Sequence, residues 1–163
     1  PNNKNICMVA AQAALLEKKK QVVVIPTHSI QEGVSVMMAF DPDAELAANE
    51  AAMNGARESV VSLSVTYAVR DSIVNGETVK GGEILGLVRG KICCHDTSRD
   101  ECIRMLCKKI PEASYLTVFR GADVSEEEAE ATMAIIRDEL GASVEAILVD
   151  GGQPLYDFLI SAE

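Results

Sequence analysis

Tryptophan is absent from this 163-residue chain, and tyrosine and phenylalanine occur three times each. Its core must therefore rest on Val, Ile, Leu, Ala and Met. Positive charge is scarce too: 15 Lys and Arg face 25 Asp and Glu, for a net charge of −10. That balance argues against a phosphate-backbone partner, which needs a basic footprint. It favours solubility and reads first as a solvated acidic surface, with a basic protein partner as the alternative. No apolar run approaches the roughly 20 residues of a membrane span, and no signal peptide is expected. The five cysteines, two of them adjacent, are odd in number and irregularly spaced, unlike a secreted disulfide framework. Reduced thiols and a cytoplasmic location are the expectation. Internal repeats and low-complexity linkers are missing as well. The chain opens on Pro1 without Met, so it is expected to be a fragment of something longer.

What is present reads as one compact domain of 17.4 kDa, with two lobes on a shared core as the alternative. Residues 6–16, "ICMVAAQAALL", are apolar nearly all round and predict a short buried helix. An Asn of "PNNKN" would cap it, and the lysines at 18–20 suit the negative end of its dipole. "QVVVIP" is a continuous β-branched run, the pattern of a central strand covered on both faces. Helices are expected from Ser29 and after "DPD", with Asp41 as cap and Pro42 at the first helical position. From Val60 to Ile92 alternating residues predict an antiparallel meander, with turns at Asn75-Gly76, Gly81-Gly82 and Arg89-Gly90. "SRDE" and "SEEE" read as capping boxes of two later helices. "SYLTVF", "SVEAILV" and "PLYDFLI" read as strands. The order predicts a layered α/β/α sheet domain with an antiparallel β meander insert.

The candidate motifs each have a plain structural explanation beside a functional one. In "VVVIPTHSIQEG", Thr27, His28 and Ser29 stand at a strand end, where α/β enzymes keep chemistry. There is no G-x-S-x-G elbow, however, and Ser29 with Glu32 already reads as a helix cap. "KICCHD" offers Cys93, Cys94 and His95 to a metal, with Cys102 or Cys107 to complete the set. Adjacent strand residues point to opposite faces, so Cys93 and Cys94 cannot both reach one ion without a bend. "LVDGGQPLY" is a sharp turn or a loop shaped for a partner; it lacks the spacing of a phosphate-cradling loop. Arg70 and Asp71 pair to fix a hairpin or belong to an interface. Glu126, Glu127 and Glu128 fan around a helix start and suit its dipole better than a metal.

Taken in order, "PNNKNI", "VVVIPTHSIQEGVSVMMAFDP", "TYAVRDS…NGETVKGGEILGLVRGKI" and "GGQPLYDFLISAE" resemble the C-terminal domain found in the A subunit of bacterial fatty acid kinase. That is a dihydroxyacetone-kinase-like family whose C-terminal domain is related in fold to DegV proteins. The resemblance runs through the whole chain, taken as residues 1–58 (α/β), 59–94 (meander) and 95–163 (α/β). It implies an ATP-dependent kinase that phosphorylates fatty acids presented by a DegV-like binding protein, for phospholipid synthesis. This domain would dock that carrier, without catalytic residues or metal of its own. No cofactor is expected here; Mg-ATP is expected on an N-terminal kinase domain of the same chain. Homodimerisation is left open. The residues carried over as partner- or ligand-binding are Asn2, Asn3, Asn5, Thr27, His28, Ser29, Arg70, Asp71, Gly151, Gly152, Gln153 and Tyr156. His28 stands where the family usually has Lys, and Gln31-Glu32 where Pro-Gln is usual, which weakens a catalytic reading of His28. Two further readings are a small-molecule domain of the dihydroxyacetone- or lipid-binding kind, in which a His holds a carbonyl, and a metal-dependent hydrolase.

Overall fold

The computed structural model describes residues 2–74, 76–141 and 143–163. The chain divides into two compact units, Pro1–Val60 and Val61–Glu163.

The first unit is helical. Helix α1 (Lys4–Leu16) begins where Asn3 accepts the Asn5 N–H at 2.8 Å. It ends where the Lys18 ammonium takes the Leu15 carbonyl at 2.8 Å. The expected burial does not materialise: only Cys7 of α1 is buried, while Met8, Val9, Leu15 and Leu16 stay exposed. The strand expected at 21–26 is also absent. Its residues have no regular secondary structure and belong to neither sheet, because no neighbouring strand offers the hydrogen bonds that a β-branched run needs to become a ladder. Helix α2 (Ile30–Met38) is capped by Ser29, whose side chain accepts the Glu32 N–H. Glu32 does not close the expected box on Ser29; its carboxylate takes the His28 N–H at 2.7 Å, one residue further back. The helix expected from Asp41 starts later, as α3 (Leu46–Ser59). Asp41 instead folds an Asx turn, its Oδ1 accepting the Asp43 N–H. Buried Asn49 holds that turn: it accepts from the Asp41 N–H at 2.8 Å and donates to the carbonyls of Asp41 and Ala44.

The second unit is a six-stranded sheet with helices on one face. Strands β1 (Val61–Tyr67), β4 (Ile84–Val88) and β5 (Lys91–Asp96) form the antiparallel meander. β2 (Ser72–Val74) and β3 (Glu77–Val79) form a separate hairpin. Asn75, expected in its turn, lies outside the described residues. The sheet continues through β6 (Tyr115–Arg120), β7 (Glu145–Asp150) and β8 (Tyr156–Ala162) in the order β5-β4-β1-β8-β6-β7. Among the described residues only β6 and β7 run parallel, joined by α5 (Glu126–Leu140) as a β-α-β crossover.

Alternation puts Leu63, Val65, Leu116, Val118, Phe158 and Ile160 on one face of the sheet. They pack there against Ile103 and Leu106 of α4 (Arg99–Cys107) and Met133 and Ile136 of α5. Each fully buried large side chain contributes about 1.5–3 kcal/mol of transfer free energy. Ser125 and Glu128 complete the expected capping box of α5, and Gly141, at φ 84°, ends it. At α4 Ser98 accepts the Glu101 N–H.

Candidate functional site

The register brings many loops to one end of the sheet. β6 and β7 finish there, at Arg120 and Asp150; β8 starts there, and β1 and β5 end there. The N-termini of α4 and α5 follow directly from β5 and β6. In α/β sheets the loops beyond the carboxyl ends of parallel strands are the usual place for ligands and partners.

Between β1 and β8 the pairing shifts: Val65 faces Phe158, but Thr66 faces Tyr156, so Asp157 is an extra, bulged residue. The bulge has two effects. Tyr156 is swung to the face of Thr66, away from the helix-covered core. Asp157, nearly buried, is turned onto Arg99, whose Nε donates to Oδ2 at 2.8 Å; Arg99 Nη1 also reaches Glu128 at 3.0 Å. One guanidinium thereby ties β8 to the first turns of α4 and α5.

The loop before β8 is held from several sides. The N–H groups of Gly151 and Gly152 both donate to the Arg120 carbonyl, and Ala122 N–H donates to the Gln153 carbonyl. The Gln153 amide donates to the Phe119 carbonyl at 3.0 Å and to that of Tyr156. Gly121 N–H reaches the Asp157 carbonyl, and a Cβ at Gly121 would lie 2.1 Å from the Tyr156 oxygen. On the other side, the Thr66 hydroxyl donates to the Leu155 carbonyl.

Leu155 sits at the tip with φ 70° and is 62% exposed. A left-handed residue after Pro154 is the pattern of a type II turn, whose second central position ordinarily goes to Gly or Asn. A side chain there costs about 1–2 kcal/mol, and Leu155, mostly exposed, recovers little of that by burial. Tyr67, Val69 and Tyr156, at the same end, are also exposed. The sequence points to the turn but not to Leu155; the one signal is a bulky residue after Pro where glycine would be unstrained.

Arg70 and Asp71 do not pair with each other. Asp71 accepts the Gly81 N–H at 2.8 Å, fixing the corner before β2, and Arg70 has no ion pair among the described residues. The α5 N-terminus is filled by its own side chains. Glu128 is held at about 2 by the N–H and hydroxyl of Ser125, then by Arg99. Glu126 and Glu127 stand beside it, and Asp96 fills the α4 start by accepting the Ser98 N–H at 2.7 Å.

The remaining predicted residues lie in the first unit. Asn2 and Thr27 line an open apolar groove of about 850 Å³ with Val23, Ile25, Val34 and Met37. Asn3 and Ser29 cap helices, Asn5 donates to Asn3, and His28 is exposed, its backbone N–H on Glu32.

At the thiols a bulge supplies the bend that alternation forbids. Gly86 faces Cys94 while Leu87 faces Ile92, leaving Cys93 unpaired and its sulfur 4.0 Å from that of Cys94. No group of three or more His, Cys, Asp or Glu side chains is arranged for a metal ion among the described residues. Burial pushes the Cys93 thiol up to about 11, and that of Cys107 likewise to about 11. The hydrogen bond between Cys94 and Cys102 raises the former and lowers the latter. His95 is occupied on both ring nitrogens, by Glu83 at 2.8 Å and Glu77 at 3.3 Å.

The whole of residues 1–163 matches the FakA-like C-terminal family model, which describes the C-terminal domain of proteins like the A subunit of fatty acid kinase. The chain belongs to this family. It is 37% identical to protein YloV of Bacillus subtilis over 165 residues, covering 100% of this chain and 30% of that protein. An uncharacterized Staphylococcus epidermidis protein, SERP0792, is 35% identical with the same coverage. The chain thus spans about a third of the length of these relatives and is matched to the C-terminal part of a larger protein. Its fold is that of the DegV family: a Corynebacterium glutamicum DegV family protein, Cg2579, superposes with a TM-score of 0.68 at 14% identity, over 95% of this chain and 68% of that one. The family thus includes a domain with the DegV-like α/β architecture expected from the sequence. No described helix is long and apolar enough to cross a membrane.

Proposed function

We propose that this domain is the non-catalytic, carrier-docking part of a fatty acid kinase subunit. In this reading the longer protein phosphorylates fatty acids presented by a DegV-like binding protein for phospholipid synthesis, in the cytoplasm, with Mg-ATP on a preceding kinase domain. The observation that carries it is the end-to-end family match. The chemistry of the sheet end supports it: the helix starts that could take a phosphate are occupied by Glu128 and Asp96, so negative charge is disfavoured where phosphoryl transfer would need it stabilised. An exposed rim that includes Tyr67, Tyr156 and Arg70 is instead what protein interfaces favour. Calorimetric titration of the full-length subunit with its DegV-family carrier tests the reading. Saturable binding that is lost when residues 1–163 are deleted is expected; unaltered binding by the truncated subunit would overturn it.

A second reading, binding of a lipid or other small apolar molecule, is favoured by the groove of the first unit, apolar but for Asn2 and Thr27. The dihydroxyacetone type of that reading has less support, since His28 is not among the groove-lining residues. Native mass spectrometry after exposure to oleate and to dihydroxyacetone separates the two: an oleate adduct lost in Val23→Asp supports lipid binding, and no adduct in either case removes this reading.

A further inference from the structure

We infer that Leu155 is the apolar anchor of a docking surface for a folded protein partner that offers a hydrophobic socket bordered by basic side chains. This rests on the docking reading above and locates it.

Three observations converge on Leu155. Its side chain is exposed at a left-handed position that glycine would occupy without strain. The loop that presents it is clamped through Gln153, Gly151, Gly152 and Thr66, so it meets a partner already ordered and little conformational freedom is lost on binding. Leu155 also contributes nothing visible to the core of its own unit.

Charge selects the kind of partner. Ala122 is hydrogen-bonded to Gln153, which puts the 121–127 segment beside the anchor. That segment carries the exposed carboxylates of Asp123, Glu126 and Glu127, which have no ion pair among the described residues. With a net charge of −10 over the chain, approach of a basic surface is favoured at long range and repulsion excludes an acidic one.

The decisive substitution is Leu155→Gly in the full-length subunit, titrated against its DegV-family carrier. If Leu155 served the fold, glycine would lower the thermal midpoint. As an anchor, its removal relieves the backbone and leaves the midpoint unchanged or higher, while affinity falls about tenfold or more. Wild-type binding should weaken by at least about threefold between roughly 50 and 300 mM NaCl, as screening of complementary charges requires. Wild-type affinity retained within twofold by the glycine variant would overturn the anchor while leaving the docking reading intact. Failure of the wild-type subunit to bind the carrier would overturn both. Salt-independent binding would overturn the basic partner. A self-associating protein that Leu155→Gly makes monomeric, with carrier binding unchanged, would assign the surface to a second copy and so overturn it too.

Discussion

The clamped turn before β8 makes a sharp contrast between two glycines. In Gly121→Ala the new Cβ would stand 2.1 Å from the Tyr156 carbonyl oxygen, 3.1 Å from that of Asp157 and 3.2 Å from that of Gln153. All three obstacles are backbone, so relief requires the start of β8 to retreat by about 1 Å. That motion lengthens the bonds from Gly121 N–H to the Asp157 carbonyl and from Ala122 N–H to the Gln153 carbonyl, now 2.9 and 3.0 Å. Each such bond is worth about 1 kcal/mol, and overpacking adds about 1–3 kcal/mol. The expected cost is about 3 kcal/mol. In Gly151→Ala the closest atom, at 2.2 Å, is Gln153 Oε1, the end of a side chain that can rotate away. Its cost is confined to the Gln153 amide bonds and two tighter contacts, about 1–2 kcal/mol. Urea unfolding followed by tyrosine fluorescence reads both values. Tyr67, Tyr115 and Tyr156 all lie in the second unit, and there is no tryptophan to obscure them. A Gly121→Ala protein within about 0.5 kcal/mol of wild type, or one more stable than Gly151→Ala, would refute the reasoning.

Asn49→Ala should destabilise the first unit by about 2 kcal/mol, since it removes one accepted and two donated hydrogen bonds that hold the 41–44 turn. Urea unfolding by far-ultraviolet circular dichroism checks it, and a midpoint equal to wild type would contradict it. His95 is raised above its ordinary 6.5, first by the hydrogen bond to Glu83 and, on the same side, by Glu77 of β3. Its contribution is therefore fully present below pH 6.5 and is lost as pH rises through the folded value. Amide exchange should show the β2–β3 hairpin loosening over that rise, and His95→Gln should flatten the profile; an unchanged profile in the variant would remove His95 from the account.

The local grammar of this chain is legible in its residues. Ser29, Ser98 and Ser125 stop extended chain and start helices because a short side-chain oxygen satisfies an otherwise unpaired N–H. Arg89 and Gly90, both at positive φ, turn the β4–β5 hairpin. The alternation in β1, and the stripes of Cys102, Ile103 and Leu106 in α4 and of Met133 and Ile136 in α5, identify the core. These are short-range effects, decided by atoms within a turn or two of the backbone. The ordered stretches that carried the resemblance also reached the family and its DegV-like fold.

Tertiary structure decided everything that depends on a neighbour distant in sequence. The 21–26 run has the composition of a central strand, but a strand exists only beside another, and none pairs with it here. Alternation predicted opposite faces for Cys93 and Cys94; the bulge opposite Gly86, a property of two strands together, brought their sulfurs to 4.0 Å. Arg70 and Asp71 are adjacent in sequence, yet the carboxylate is claimed by Gly81, ten residues on. Leu155 became conspicuous only once its φ and exposure were known, because nothing in "GGQPLY" states which residue the clamp from Phe119, Arg120 and Thr66 will force into the left-handed region and leave facing water.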